Sequence, residues 1–590
     1  MARYARTSAV LLTTVLALAG VAASAPGAAS AAVTVSDTAG LIAAIDDANA
    51  GSGQPTIRIS GNLGVTGPLP QITSPVRIEG ESIDFNGWPG FDAASSAVEI
   101  RGLQISGATG PSIRIIGDDA VLEHVFVFGT GSVGTSIVGG SARLSDVRFF
   151  GVDRAFDIEL TSGTSTIEHV EVNGPPAVGD ALLSASGDAV VTLKHVWANL
   201  MSGPLVIEGS DDAAVTVADI TVTQASGDGA ILRTTSTHPM VLAGFDSSAG
   251  PATALGLTAS EGGTIAASGI EVRTTPTTGT VGLAVEADGG TVAVDGLSTD
   301  GVEVGVSATI DDGSVVISSG QIIFSTGAGI DAVVGGPDGA LVVDQSTISA
   351  ATVGVLARVG PGGSSVVVSR STVNDTQTAV QADLEGAGSI DLVNSTISGN
   401  GSGPASGLRL DGPPTASARI VLSTLARNWG TSTIGAFGPA LSIESSIVAD
   451  NSVSAEDVAG FGSEVTIDHS LIGQIISPDV RAAFESGDGN LGGDPQLGQL
   501  ADNGGPTLTL LPAATSPVID AGGSPADPPA TDQRLDARVV SRTVDMGAVE
   551  VGRVLAATGT TAGWELAGIA AAVAAGGALL LVRSRRRRAA

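Results

Sequence analysis

The chain has 590 residues, of which 82 are glycine and 43% are apolar, while aromatic residues make up 3% and cysteine is absent. This composition disfavours a helical protein and favours many short strands joined by tight turns, and the lack of cysteine excludes disulfides and cysteine-ligated metals. The net charge of -33 argues against a nucleic-acid partner, because phosphate binding needs clustered lysine and arginine.

Residues 1–32 have the three parts of a secretory signal peptide. Two arginines near the start are followed by an apolar segment at 9–23, and Ala29 and Ala31 form an A-x-A cleavage site. The alternative is an N-terminal membrane anchor, but the apolar segment is shorter than the roughly 20 residues that a bilayer needs. We therefore predict an exported protein.

Residues 33–54 are predicted to form a short strand and an amphipathic helix that covers the first coil of the next domain. Either Ser36 or Thr38 is a candidate N-cap, and Gly51 is expected to end the helix. Four apolar residues share one face of this helix, namely Leu41, Ile42, Ile45 and Ala48.

One pattern recurs through residues 55–490: a few alternating apolar residues, a polar bend, a second short apolar run and then glycine. STIEHVEVNG (165–174) and SIDLVNSTISG (389–399) are examples. The positions taken as equivalent in eight repeats are Val292, Val315, Leu341, Val366, Ile390, Ile420, Leu441 and Val465. Repeats of roughly 24 residues without helical periodicity predict an all-β solenoid, a parallel β-helix of about 17 coils. We expect right-handed coils, as in nearly all parallel crossovers.

Residues 491–553 form a Pro/Gly-rich segment that is expected to close the far end of the solenoid. It contains DPQLGQLADNGGPTLTLLP (494–512), SPVIDAG (516–522), DQR (532–534) and DMGAVE (545–550). These motifs resemble the ending of choice-of-anchor Q proteins, which are right-handed parallel β-helix surface proteins that attach through different C-terminal anchors. The resemblance implies a fold and a surface location, but no reaction.

The last segment, 554–590, combines a pentapeptide, an apolar stretch and a basic tail. The apolar stretch, 564–582, is just long enough to span a membrane, and the arginines after it favour a cytoplasmic tail. The pentapeptide is Leu555, Ala556, Ala557, Thr558 and Gly559.

This order resembles the cell-wall sorting signal read by sortases. The common form has Pro at the second position, and Ala556 makes this signal similar to the LAxTG form associated with class E sortases of high-GC Gram-positive bacteria. The resemblance implies that a sortase thiolate attacks the Thr558 carbonyl, releases Gly559 onward and transfers the protein to an amine of the peptidoglycan precursor. A simple single-pass membrane anchor is the alternative.

Several residues are candidates for chemistry. Asp118 and Asp119 resemble the paired carboxylates of polygalacturonases, although Gly-Asp-Asp is also ordinary turn sequence. A second set recurs at intervals of 22 to 26 residues at the same bend: His124, Asp146, His169, His195 and Asp219. Stacked together, they would form a polar ladder on one edge, which either binds a metal or protons or is a solvated bend. Calcium bound between acidic turns is a further possibility.

We interpret the chain as a non-enzymatic, cell-wall-anchored acidic rod that serves adhesion or an envelope role, with no catalytic residue, metal or cofactor assigned. The alternative is a surface-attached polysaccharide lyase or glycoside hydrolase on the same scaffold. An enzyme should show Asp, Arg or Lys together with an aromatic side chain on one long face, whereas a passive rod should not.

Overall fold

A computed structural model describes residues 32–551, apart from 52, 130–132, 179–180, 224–226, 249–251, 276–277, 402–403, 453–455, 526–527 and 541–542. The predicted cleavage site at Ala29 and Ala31, the pentapeptide 555–559 and the apolar stretch 564–582 lie outside the described residues. Within the described part, no helix is both long and apolar enough to cross a membrane.

The described residues form two α-helices and 45 β-strands. The helices are α1 (Thr38–Ala50) and α2 (Pro478–Ser486). The strands, in chain order, are β1 (Val33–Val35), β2 (Thr56–Gly64), β3 (Val76–Asp84), β4 (Phe91–Ala93), β5 (Val98–Arg101), β6 (Gln104–Ser106), β7 (Ile113–Ile116), β8 (Ala120–Phe128), β9 (Val133–Gly139), β10 (Ala142–Phe150), β11 (Arg154–Leu160), β12 (Thr164–Val178), β13 (Ala181–Ala185), β14 (Val190–Met201), β15 (Leu205–Gly209), β16 (Ala214–Thr223), β17 (Ala230–Thr234), β18 (Met240–Ser248), β19 (Thr253–Ser260), β20 (Thr264–Arg273), β21 (Val281–Asp288), β22 (Thr291–Asp300), β23 (Val304–Asp311), β24 (Ser314–Ser318), β25 (Gln321–Ile323), β26 (Ala328–Gly335), β27 (Ala340–Asp344), β28 (Thr347–Ser349), β29 (Val353–Val359), β30 (Ser365–Ser369), β31 (Thr372–Asn374), β32 (Thr378–Leu384), β33 (Ser389–Val393), β34 (Thr396–Ser398), β35 (Leu408–Asp411), β36 (Ser417–Val421), β37 (Thr424–Ala426), β38 (Ser432–Phe437), β39 (Ala440–Glu444), β40 (Ile447–Val448), β41 (Glu456–Phe461), β42 (Val465–Asp468), β43 (Leu471–Ile472), β44 (Leu497–Ala501) and β45 (Thr509–Pro512).

Two long sheets build the body, and every strand pair described in them is parallel. One sheet has 16 strands, from β4 to β41, and takes one strand from each coil; the other has 27 strands. Together with the earlier coil of β2, this gives about 17 coils stacked at the ~4.8 Å spacing of paired strands. The predicted parallel β-helix is therefore confirmed.

The alternating sequence explains the coil. On either side of the bend at His124, every second side chain of β8 is buried and the others face outward, as a period of two requires. The inward valine, isoleucine and leucine side chains stack on their equivalents in the next coil, so one apolar cluster extends from Val35 to Val480. Burial of this continuous core is the main stabilising contribution to the rod.

The register corrects one predicted repeat position. Ile390 pairs with Ala418, which pairs with Leu441, whereas Ile420 pairs with Leu392. Ala418 and Ile420 both point into the core, because they are two residues apart on one strand. The equivalent position is therefore Ala418, and the predicted Ile420 lies two residues, or one strand period, after it.

Helix α1 lies where the sequence predicts it and contacts β1 and β2. Its N-cap is Asp37, whose Oδ1 accepts a 2.7 Å hydrogen bond from the N–H of Gly40, so neither predicted N-cap is correct. Ile42 is only half-buried, and Ala44 is buried instead. The helix ends before Gly51, as predicted.

The far end of the rod differs from the expectation. Helix α2 contacts β41 and β42 and buries Val480 against the last coil, so it is α2 that covers the end of the core. The segment after it, with the antiparallel hairpin β44–β45, folds back along the side of the rod. There Thr372 Oγ1 donates to the carbonyl of Leu508 at 2.5 Å, and the N–H of Ala548 donates to Thr424 Oγ1 at 3.0 Å.

A buried serine ladder lines one inner corner of the later coils, and the sequence analysis did not find it. Each serine N–H donates to the Oγ of the serine one coil later at 3.0–3.2 Å, as in the bond from Ser395 to Ser423. The last N–H, that of Ser470, donates to Asn490 Oδ1 at 3.0 Å. The ladder consists of Ser346, Ser371, Ser395, Ser423, Ser446 and Ser470. Such pairing satisfies backbone groups that would otherwise be unpaired at a corner.

Candidate ligand-binding face

The five bend residues predicted to align do lie in one column. The flanking residues pair in register along β8, β10, β12, β14 and β16, which brings equivalent bends directly above one another. All five have φ between 51° and 54°, the left-handed conformation that turns the strand outward at this corner. We call the column the corner ladder: His124, Asp146, His169, His195 and Asp219.

Neighbouring side chains of the corner ladder contact one another. His195 Nδ1 lies 3.2 Å from Asp219 Oδ2, and His124 Nε2 lies 3.9 Å from Asp146 Oδ2. The rings of His169 and His195 stack with centroids 4.9 Å apart. Within the described part of the chain, no group of three or more His, Asp or Glu side chains converges as a metal site requires. The corner ladder is a column of outward-facing imidazole and carboxylate side chains that contact one another.

A chain of ion pairs leads to the corner ladder from the N-terminal coils. Glu99 Oε2 accepts hydrogen bonds from Arg77 Nε at 2.6 Å and from Arg101 Nε at 3.0 Å, and Arg101 also pairs with Glu123 beside His124. Burial alone would raise the pKa of Glu99, but the hydrogen bonds from the two arginines outweigh it and lower that pKa. These pairs hold the polar surface in a fixed arrangement.

Aromatic side chains lie two residues after the corner, on the outer face of the same strands. The register places Phe126, Arg148, Glu171 and Trp197 in one row across β8 to β14. The Arg148 guanidinium lies 5.2 Å from the centre of the Phe126 ring and 3.5 Å from Glu171 Oε2. The side chain of Trp197 is 42% exposed.

A second row lies two residues further along each strand. The rings of Phe128 and Phe150 stack with centroids 5.0 Å apart and an angle of 9° between their planes. The row continues with amides, since Asn199 Nδ2 donates to Asn173 Oδ1 at 3.1 Å and Thr223 Oγ1 donates to Asn199 Oδ1 at 2.9 Å.

We call the two rows together the aromatic face: Phe126, Phe128, Arg148, Phe150, Glu171, Asn173, Trp197 and Asn199. The phenylalanines among them were not predicted as surface residues from the sequence. The signal was present, because these aromatic residues lie two or four residues after an aligned bend. Phenylalanine is also a common core residue, however, and only the strand register shows that these three face outward.

The acidic pairs of the turns have structural contacts. Asp118 Oδ1 accepts a 2.6 Å hydrogen bond from the N–H of Gly140, and Asp119 Oδ1 accepts a 2.7 Å hydrogen bond from Ser141 Oγ. Each bond joins a turn to the next coil. Asp119 has a φ of 57°, as turn geometry requires.

Two other acidic pairs, Asp211-Asp212 and Asp311-Asp312, also have contacts within the turns. Asp212 Oδ1 accepts a 2.8 Å hydrogen bond from Thr237 Oγ1, and Asp312 Oδ1 accepts one of 3.3 Å from the N–H of Asp338. These contacts support the interpretation of the acidic pairs as turns.

No protein-family model matches the chain, and no curated protein matches it either. Among solved structures, the A-module of the mannuronan C-5 epimerase AlgE4 of Azotobacter vinelandii is similar over 75% of this chain and 95% of that chain, with 15% identity and a TM-score of 0.25. The A-module of AlgE6 from the same organism is similar over 78% and 97%, with 12% identity and a TM-score of 0.22.

Proposed function

We propose that the protein is exported, attached by its C-terminus to the cell wall, and displays the aromatic face away from the wall as an adhesin. The proposal rests on the signal peptide at 1–32, the LAATG pentapeptide at 555–559 and the apolar and basic segments that follow it. A sortase would cleave after Thr558 and transfer the protein to the peptidoglycan precursor. The family resemblance to choice-of-anchor Q proteins agrees with a surface location.

The observation that supports this proposal is the distance along the rod between the aromatic face and Val551, the last described residue before the pentapeptide. The N–H of Val551 donates to Asp545 Oδ2 at 2.6 Å. Gly547 N–H donates to the carbonyl of Ser445 at 2.8 Å, so the end of the described chain lies beside β39 and β40.

The aromatic face lies on β8 to β14. From β14 to β36 the stack rises by nine coils, or roughly 43 Å at ~4.8 Å per coil. A covalent attachment beyond Val551 would therefore leave the aromatic face at the outer part of the rod, where a ligand outside the wall can reach it.

Cell fractionation of a producing strain tests the attachment. Thr558→Ala removes the predicted acyl donor residue, so we expect the protein to move from the wall fraction to the membrane fraction. Thr560→Ala, two residues later and outside the pentapeptide, is the matched control and should remain in the wall. Equal wall content in both variants would contradict sortase attachment.

A second candidate function is supported by one observation. The corner ladder and the aromatic face combine Asp146, Asp219, Arg148 and Trp197 on one long surface, which is the arrangement expected of a polysaccharide lyase or hydrolase. Incubation of the purified protein with pectin, alginate and glycosaminoglycans, followed by assays for new reducing ends and unsaturated products, tests this candidate. Products formed by the wild type but not by Asp146→Asn would favour the enzyme over the adhesin.

A further inference from the structure

We propose that the aromatic face binds a single chain of a neutral, unbranched polysaccharide that lies along the axis of the rod. This inference names a ligand for the proposed adhesin, and it rests on that proposed function only for the location of binding at the cell surface.

The shape suits a linear polymer. The face is the outer side of a parallel sheet, so equivalent side chains repeat once per coil at ~4.8 Å and form a track along the axis of the rod. The rings of Phe128 and Phe150 stack face to face, with centroids 5.0 Å apart and an angle of 9° between their planes, so together they make one apolar block on this track. Trp197 lies two coils beyond Phe150 and is 42% exposed. Exposed aromatic side chains of this kind offer a large apolar contact area.

The polar groups of the face are preorganised. Asn173 Nδ2 lies 3.4 Å from Glu171 Oε1, and the chain of bonds through Asn199 to Thr223 holds each amide in place. Each planar amide or carboxylate keeps further donor or acceptor capacity toward solvent. Hydroxyl groups of a sugar are both donors and acceptors, so they match such a mixed row. Groups already held in place lose little conformational freedom on binding.

Charge decides which polysaccharide fits. Arg148 and Glu171 balance each other on the face itself, while the adjacent corner ladder carries Asp146 and Asp219 and the whole chain carries a net charge of -33. A polyanion would be repelled by this field, which disfavours uronates and nucleic acids. A protein partner would be expected to insert a side chain into a well-packed pocket, whereas the described side chains of this face lie side by side on the outer side of a sheet. The ligand favoured by these observations is therefore a neutral glycan.

The test is binding of the purified, secreted protein to soluble, linear neutral polysaccharides, namely barley β-glucan, glucomannan and pullulan, with alginate as the polyanion and polylysine as a basic polypeptide. Affinity electrophoresis or calorimetry would measure the dissociation constants. We expect binding to at least one neutral polysaccharide and none to alginate or polylysine. Trp197→Ala should weaken binding by about 10-fold or more, equivalent to about 1.4 kcal/mol.

The matched control is Trp429→Ala, because Trp429 is 59% exposed but lies outside the aromatic face. This variant should bind as the wild type does, and a Phe128→Ala/Phe150→Ala double variant should lose binding as Trp197→Ala does. Three results would overturn the inference: no binding to any neutral polysaccharide, equal losses in Trp197→Ala and Trp429→Ala, or preferential binding of alginate or polylysine. Because the assay uses protein in solution, these outcomes are independent of the fractionation test of wall attachment.

Discussion

The carboxamide oxygen of Gln533 accepts a 2.6 Å hydrogen bond from the hydroxyl of Thr396, although 137 residues separate them in the chain. The same amide donates to Thr372 Oγ1 at 3.0 Å and to Thr507 Oγ1 at 2.9 Å. All of these groups are buried. One side chain thus joins two neighbouring coils to the segment that folds back over them, which we call the closure (residues 491–551).

Gln533→Ala should release the closure from the coils. The substitution leaves buried hydroxyl and carbonyl groups without partners, each at a cost of roughly 1–3 kcal/mol, so we expect a loss of about 3 kcal/mol in the free energy of unfolding of this region. Hydrogen exchange should show faster exchange in β44, β45 and β31 to β34. Gln499→Ala is the control, because Gln499 is exposed in the same segment; equal exchange in the two variants would contradict this role of Gln533.

The closure and the adjoining end of the rod should become less stable as the pH rises. Burial raises the pKa of Glu550, in the closure, to about 7, and it raises the pKa of Asp457, on β41 at the end of the 16-stranded sheet, to about 6. A carboxyl whose pKa is raised in the folded state contributes stability below its unfolded pKa, and that contribution is lost as the pH rises through the folded value. The free energy of unfolding should therefore fall between about pH 4.5 and pH 7, by at most about 1.4 kcal/mol per pH unit for one proton.

Glu550→Gln tests this origin of the pH dependence. The variant cannot ionise, so the slope of stability against pH should become shallower between pH 5 and pH 8. Asp536→Asn changes a carboxyl whose side chain is 68% exposed and should leave the slope unchanged. Chemical denaturation at several pH values provides the measurement. A slope that is the same in Glu550→Gln and in the wild type would show that the buried carboxyl is not its cause.

Gly329 is required by close packing between coils. A Cβ atom there would lie 2.5 Å from Ile348 Cγ2 and 2.6 Å from the carbonyl oxygen of Gly354 in the next coil. Gly329→Ala should therefore cost about 2 kcal/mol, within the range of overpacked cores. Urea denaturation measures the loss, with Gly67→Ala as the control because nothing lies within 4 Å of its added Cβ. A stable Gly329→Ala variant would mean that the coils are less tightly stacked than described.

The bend of the corner ladder should accept asparagine but reject branched side chains. His195 has a φ of 52°, which β-branched residues adopt only with strain. We expect His195→Val to lower the free energy of unfolding by about 1–2 kcal/mol, whereas His195→Asn should be close to neutral. Thermal unfolding compares the two variants, and equal melting temperatures would contradict a strained bend.

The local pattern was sufficient to predict the coil. A period of two within strands and a spacing of about two dozen residues between them predicted the parallel solenoid, and the alignment of His124 with Asp146 and His169 was confirmed by the strand register. These features depend on residues close in sequence or one coil apart. For the same reason, the assignment of Ile420 in place of Ala418 was wrong, because two inward residues on one strand satisfy the same pattern.

The local sequence pattern could not predict the position of the closure or of the aromatic face. The position of Gln533 depends on contacts with coils more than 130 residues earlier, and no local periodicity encodes such contacts. Phe126 and Phe150 follow the same alternation as core residues, so only the direction of each strand relative to its bend decides that they face outward. The N-cap of α1 was also predicted wrongly, by one residue: it is Asp37, which lies between the two candidates Ser36 and Thr38.

Mass spectrometry of the C-terminal peptide, after enzymatic digestion of purified cell walls, shows whether the rod is anchored to the wall. For a wall-anchored rod we expect a peptide that ends at Thr558 and is linked through its carbonyl to an amine of a peptidoglycan fragment. Recovery of the protein with an intact C-terminus at Ala590, whether from the cytosol or from the membrane, would contradict it.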